Sequence, residues 1–249
     1  KNGDFPVKTL EALKLAKSRN MQKALECIDS RAAEMMSIFS QGRTWDEYLQ
    51  QTEALKNITK ADIVNVANKY LNDNYIDFVK KFGSYPKDKV SKPNFKPIVP
   101  KNTNAESEYA KQLEQIPLKE MAPRLTDYNR DVETKALTKY ATLYVKKNPV
   151  NNLFSFSLIY HKGTLSDPKL SALESYLSDI GTDSLTKHEF GQAMQQIGTT
   201  FETSAEKNSF SITLSGIDSN LAASLQLLRH FMDYAKADKK SMKSLASTY

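Results

Sequence analysis

One cysteine, three histidines, one tryptophan and eight glycines are spread over 249 residues. Each shortage removes a class of protein. The single thiol, Cys27, can form no internal disulfide and no cysteine-based zinc cluster. It lies in a helical pattern with Ala24, Leu25 and Ile28, where a small buried apolar residue is expected rather than a nucleophile. No run reaches the roughly 18 apolar residues of a membrane-spanning helix, so no transmembrane helix is expected. The glycines form neither Gly-x-Gly-x-x-Gly nor a phosphate loop, and no Gly-x-Ser-x-Gly elbow exists. His161, His188 and His230 lie 27 (161 to 188) and 42 (188 to 230) residues apart, so no pair has helical metal-ligand spacing.

His188-Glu189 opens like His-Glu-x-x-His, but Gln192 stands where the second histidine belongs. Glu189 has a simpler use as the third residue of a capping box begun by Thr186. His161, at the exposed end of a strand, and His230, inside an amphipathic helix, read as structural or surface residues. Catalytic, cofactor-binding and metal-binding residues are therefore expected to be absent from this chain.

What is present is an ordinary balance of 40% apolar and 26% charged residues, which allows one or two domains with cores of their own. The first residues, Lys1 to Asp4, carry no signal-peptide core. The chain reads as the middle of a longer protein, so its start says little. The compartment stays open, with a soluble protein of the periplasm or another non-cytosolic space as the working expectation.

Up to Tyr70 the pattern is helical. Leu10, Leu13 and Ala16, then Met21, Ala24, Leu25 and Ile28, then Met35, Met36 and Phe39 recur at helical spacing. Gly42 punctuates this run. Thr44 with Glu47 and Thr59 with Asp62 are helix-start signals. Tyr75 to Val79 reads as a strand. Beyond Phe82, Pro86, Pro93, Pro97, Pro100 and Pro117 break regular structure, and seven lysines (80, 81, 87, 89, 92, 96, 101) face only Asp88. This is the signature of a linker, stiffened by proline and extended by self-repulsion.

The remainder reads as α+β. Leu143 to Val145 precedes a turn at Asn148-Pro149, and Leu153 to Tyr160 alternates as a strand. Asp167 caps a helix beginning at Pro168 and running to Gly181. A second helix starts at Thr186 and ends before Gly198. Thr199 to Ser204 and Ser209 to Ser215 form a hairpin through Glu206-Lys207-Asn208. Leu221, Leu225, Leu228 and Phe231 mark an amphipathic helix, and Lys239 to Tyr249 begins another.

Two regions carry a family resemblance. Ile58-Thr59-Lys60-Ala61-Asp62-Ile63-Val64, continued by Ala67-Asn68-Lys69-Tyr70, resembles the segment closing the second repeat of pitrilysin (insulinase) family zinc metallopeptidases. Asn152 to Thr164, ending Lys162-Gly163-Thr164, resembles the strand before that family's zinc helix. Leu170 to Tyr176, Gly181-Thr182, Phe190 to Gly198, Phe201 and Ser209 to Gly216 follow in the family's order. The resemblance implies α+β architecture of repeated sheet-plus-helices domains. Residues 1–83 would end the second repeat, 84–120 would link two halves, and 121–249 would begin the third, inert repeat.

In active members His-x-x-Glu-His stands shortly before a Gly-Thr pair. Here those five positions are Ala172, Leu173, Glu174, Ser175 and Tyr176. The resemblance thus implies zinc in the parent protein's first repeat, upstream of Lys1, and none in this chain. Two histidines on one helical face hold the metal there, and the metal lowers the pKa of bound water. The substrate-contacting Arg and Tyr would come from a fourth repeat beyond Tyr249. The function implied is a non-catalytic part of a zinc metalloendopeptidase, forming the hinge and a wall of a chamber that degrades unfolded peptides. Its partners are those peptides and the flanking repeats, with no membrane and no nucleic acid. One alternative is a wholly inert member acting as a partner or assembly subunit. The other is an anion-binding module built on the lysine-rich linker, with Phe82, Tyr85 and Phe95 interleaved. Lysine without arginine argues against base reading in that case.

Overall fold

Helices α1 (Val7–Ala24), α2 (Ile28–Ser40), α3 (Trp45–Asn57) and α4 (Lys60–Tyr70) open the α+β fold of the computed structural model, which describes residues 2–84, 91–99, 101–119, 122–123 and 125–246. Their ends have local causes. Thr44 accepts from the Glu47 N–H while the Glu47 carboxylate accepts from the Thr44 N–H, and Thr59 with Asp62 repeats the device. Helix α2 stops in a Schellman motif: Gly42 (φ 68°) donates to Phe39 and Arg43 donates to Ile38. Leu10, Ala12, Ile38 and Tyr48 are the buried apolar residues of this layer.

Residues up to Asn74 join those from Lys147 onward in one compact unit, and Tyr75–Lys146 forms another. The repeat boundaries expected at 83/84 and 120/121 divide the chain by sequence repeat, which is a different criterion from packing.

The second unit holds α5 (Glu108–Glu114), α6 (Tyr128–Asp131) and an antiparallel hairpin of β1 (Glu133–Thr138) and β2 (Ala141–Val145). Tyr75 to Val79 is not a strand. All five residues are exposed and no described strand pairs with them, so β propensity finds no ladder to join. Helix α5 appears where proline was expected to break all regular structure; it fits between Pro100 and Pro117, with Ser107 accepting from the Ala110 N–H. Tyr85, Pro86, Lys87, Asp88, Lys89 and Pro100 of the linker lie outside the described residues. Lys80, Lys81, Lys92, Lys96 and Lys101 are all exposed, as are Phe82 and Phe95.

From Leu153 the chain builds a three-stranded antiparallel sheet in the order β3 (Leu153–Tyr160), β5 (Phe210–Ile217), β4 (Thr200–Ala205). Helices α7 (Lys169–Leu177), α8 (Lys187–Gln196), α9 (Leu221–Tyr234) and α10 (Lys239–Ala246) accompany it. Helix α7 ends at Leu177, short of the expected Gly181. The last three residues of the expected final helix lie outside the described ones. Strand β5 alternates strictly. Phe210, Ile212 and Leu214 are buried against Ile180, Phe190, Met194, Leu228 and Phe231, while Ser211, Thr213 and Ser215 face the other way. The rings of Phe190, Phe201 and Phe231 pack with centroids 4.8–5.6 Å apart, a favoured aromatic spacing. Beneath them Thr199 and Ser224 share a buried hydroxyl pair at 2.7 Å, and Ser224 donates onward to the Asn220 carbonyl.

Helix α1 is tied to this sheet layer. Arg19 Nη1 donates to the Gly198 carbonyl at 3.1 Å, and Leu15 packs where a Cβ on Gly198 would stand. Asn151 Nδ2 donates to Glu26 Oε1 at 2.9 Å.

Candidate functional site

The family resemblance attaches chemistry, by its absence, to Ala172 to Tyr176 on α7. The loop feeding α7 is held tightly. Thr164 and Leu165 donate to the carbonyls of Glu206 and Lys207 in the β4–β5 turn. A Cβ on Gly163 would stand 2.3 Å from the Glu206 carbonyl oxygen, so only glycine lets the two loops touch. The Asp167 carboxylate accepts from the Lys169 N–H at 3.0 Å, and Leu170 donates to the Asp167 carbonyl. Asp167 therefore starts α7 as expected, with Pro168 in helical conformation after it.

Four of the five motif positions then have a use of their own. Glu174 locks α7 to the sheet. Its Oε2 accepts from the Ala205 N–H at 3.1 Å, and its carbonyl accepts from the Thr203 hydroxyl at 3.0 Å. The Tyr176 hydroxyl accepts from the Asp238 N–H at 2.8 Å. Asp238 in turn begins α10, its carboxylate accepting from the N–H groups of Lys240 and Ser241 and from the Ser241 hydroxyl. These bonds, that to Lys240 first, hold the Asp238 carboxyl below its ordinary range. Between α7 and α10 lies a cavity of about 430 Å³ floored by Leu170, Ala172, Leu173 and Tyr176 and walled by Met242 and Leu245. Ala172 offers no donor atom and the Tyr176 oxygen is already engaged. The face at positions 172 and 176 is thus an apolar seat for a helix, and it is chemically unfit for a metal. Among the described residues no group of three or more His, Cys, Asp or Glu is placed to hold one.

The histidines are apart. His161 follows β3 and is exposed, and His188 is exposed in the first turn of α8. Glu189 completes the capping box with Thr186, and the Thr186 N–H holds its carboxyl below the ordinary range. His230 has the richest surroundings: its Nε2 lies 2.9 Å from Ser184 Oγ, 3.2 Å from Thr182 Oγ1 and 3.9 Å from Asp183 Oδ1. A nucleophile relay needs the hydroxyl on one ring nitrogen and the acid on the other. Here all three crowd one nitrogen, so the group fastens the 181–186 turn to α9. That turn also bonds the end of α9 and the residues after it, with the Asp183 N–H donating to the Tyr234 carbonyl and the Lys236 N–H to the Gly181 carbonyl.

Cys27 departs from expectation. Helix α1 ends at Ala24 and α2 begins at Ile28, so Cys27 falls in the connection as the residue before α2 and is exposed. Hydrogen bonds from the Ser30 N–H and hydroxyl hold its thiol below the ordinary range. Sequence reasoning missed the anchoring roles of Glu174 and Tyr176. Glu174 interrupts the Leu170, Leu173, Leu177 stripe, and its neighbourhood to that stripe was the one available signal. No described helix is long and apolar enough to cross a membrane.

No family model and no curated protein matches the chain. Among solved structures it is similar to a protease from Helicobacter pylori (15% identity, TM-score 0.42, covering 47% of this chain and 29% of that one). It is also similar to the periplasmic protease PqqL from Escherichia coli (16%, 0.43, 79% and 20%). A third is the ferredoxin protease FusC, solved as a mutant with Arabidopsis ferredoxin (13%, 0.38, 95% and 31%). The chain spans less than a third of the length of each.

Proposed function

We propose that the chain is the central, non-catalytic segment of a pitrilysin-type zinc metallopeptidase, contributing the hinge between two halves and part of the wall of a peptide-degrading chamber. The observation that carries this reading is the use made of α7. The helix follows its strand and glycine loop where the resemblance puts the metal helix, yet positions 172 and 176 seat α10 and position 174 locks a sheet edge. A metal helix re-employed for packing is what an inert repeat requires. The lysine-bearing segment after Asn74, without a regular element among its described residues up to Ser107, suits a hinge. Zinc and the general base would belong to the upstream repeat and the peptide substrates to the whole protein.

The test is to read the reading frame upstream of Lys1. His-x-x-Glu-His, followed by a downstream helical Glu, is the expected result. Its absence would overturn the peptidase reading and leave an inert partner or assembly subunit.

A further inference from the structure

Helices α1 and α8 pack together, and residues of both line a cavity of about 390 Å³ with the start of β4. That lies at the small end of the roughly 300–1,000 Å³ of small-molecule clefts. Ile180, Phe190, Met194 and Phe201 give it an apolar lining, the first three almost fully buried. Two features set it apart from ordinary packing. The first is a charge. Arg19 Nη1 donates to the Gly198 carbonyl, while Nε and Nη2 donate to Asn20 Oδ1. These acceptors are neutral, and no carboxylate among the described residues pairs with the guanidinium. It is half-buried, where a cation without a counter-charge is costly, and N–H groups on Nη1 and Nη2 remain to donate. The other cation of the lining, Lys187, is already paired with Asp179. The second feature is an empty place. Gly191 stands in the interior of α8, where glycine weakens a helix. A Cβ there would meet no atom within 4 Å, unlike one at Gly163, Gly181 or Gly216, so no close approach explains the glycine. Gly191 is exposed and lines the cavity, so a larger side chain at that position would narrow its mouth.

We propose that this cavity binds a small aryl-alkyl carboxylic acid, with its carboxylate on Arg19 and its ring among Phe190, Met194 and Phe201. The charge selects the head: a planar guanidinium with N–H groups to spare matches a carboxylate. The lining selects the body, since aromatic rings and a thioether sulfur both favour an aromatic guest. The volume admits one ring on a short chain. The bond to Gly198 already holds the guanidinium in place, so little side-chain freedom is lost when the acid arrives. Every residue of the site belongs to this chain, and the site asks nothing of the proposed peptidase role.

Titration of the full chain with phenylpropionate, followed through backbone amide shifts in heteronuclear NMR, tests it. The control is the uncharged primary amide of the same acid. Phenylpropionate should shift the amides of Gly191, Gly198 and Phe201 saturably, with a dissociation constant in the millimolar range or tighter. The primary amide should bind about tenfold more weakly or worse, because charge-assisted hydrogen bonds are lost. Arg19→Met should weaken binding of the acid by a similar factor. Arg19 also ties α1 to Gly198, so a second variant separates binding from folding. Gly191→Leu fills the mouth and replaces a helix-interior glycine, so it should raise the unfolding midpoint and still weaken binding about tenfold. No saturable shift at these amides, or equal binding of the acid and its primary amide, would overturn the proposal. Undiminished binding by Gly191→Leu would do the same, since the ligand then sits elsewhere. So would equal shifts with acetate, because the apolar lining then contributes nothing.

Discussion

Helices α2 and α9 are thirteen and fourteen residues long, and both carry an apolar stripe. On α9 the stripe is covered: Leu228 and Phe231 are 3% and 2% exposed against the sheet. On α2 only Ile38 is buried, while Ile28, Met35, Met36 and Phe39 are 53–82% exposed. The patterns are alike in sequence, and what separates them is a sheet under one and not under the other. An apolar helical face therefore states a need for a partner, and the partner has to be looked for elsewhere.

The strongest way to break this contrast is to truncate matched rings. Phe231→Ala should cost about 3–5 kcal/mol in urea unfolding, and Phe39→Ala no more than about 0.5 kcal/mol. A comparable loss at Phe39 would mean that the α2 face is covered in solution.

Glycines sharpen the comparison next. In the sheet layer Gly163 is needed for close approach, so Gly163→Ala and Gly163→Asn should each cost about 1–3 kcal/mol through overpacking. In the helical layer Gly42 is needed for its positive φ and has open space around it. Gly42→Ala should cost about 1–2 kcal/mol, and Gly42→Asn distinctly less, because Asn enters the left-handed region more easily. Equal responses to Asn at the two sites would sink the distinction.

Capping should treat the two layers alike. Thr44→Ala and Thr186→Ala should each lower stability by about 1 kcal/mol. The linked carboxyls of Glu47 and Glu189 are held below their ordinary range, chiefly by the backbone N–H of the capping threonine. The sign follows directly. This stabilisation is present above the ordinary glutamate pKa of about 4.3 and is lost as pH falls through the lower folded value. A pH series of melting temperatures should show this acid loss in the parent and a smaller one in Thr186→Ala.

The smallest effect concerns Cys27. Iodoacetamide should label it without denaturant and leave the melting temperature unchanged, read by mass spectrometry and calorimetry. Labelling only after unfolding would restore the buried position expected from the helical pattern.

These contrasts also explain which parts of the fold were legible. The capping boxes at Thr44, Thr59 and Thr186, and the stops at Gly42 and Gly198, are decided within a few residues, so the sequence states them directly. Strands β3 and β5 were readable because apolar and polar residues alternate along them, while β4 alternates weakly and was readable through the turn that joins it to β5. Tyr75 to Val79 has strand composition and no partner, while Glu133–Thr138 has little strand composition and gains its ladder from β2. Pairing, a tertiary matter, decided both. Cys27 was misplaced because a helix break between Ala24 and Ile28 leaves little trace in the pattern. On α7 the substitutions at 172, 175 and 176 were visible as losses. The anchoring roles of Glu174 and Tyr176 depend on Ala205 and Asp238, far along the chain.

The bond between Arg19 and Gly198 has a consequence in time. Its ends are 179 residues apart. At roughly 5–20 residues per second of synthesis, Arg19 waits about 9–36 s for its carbonyl to be made. During that interval α1 can pack on α3 but cannot dock on the sheet layer, and its Leu15 side has no Gly198 to close on. Birth order and packing order thus run opposite ways for this contact: one side of the first helix made is among the last surfaces to be covered.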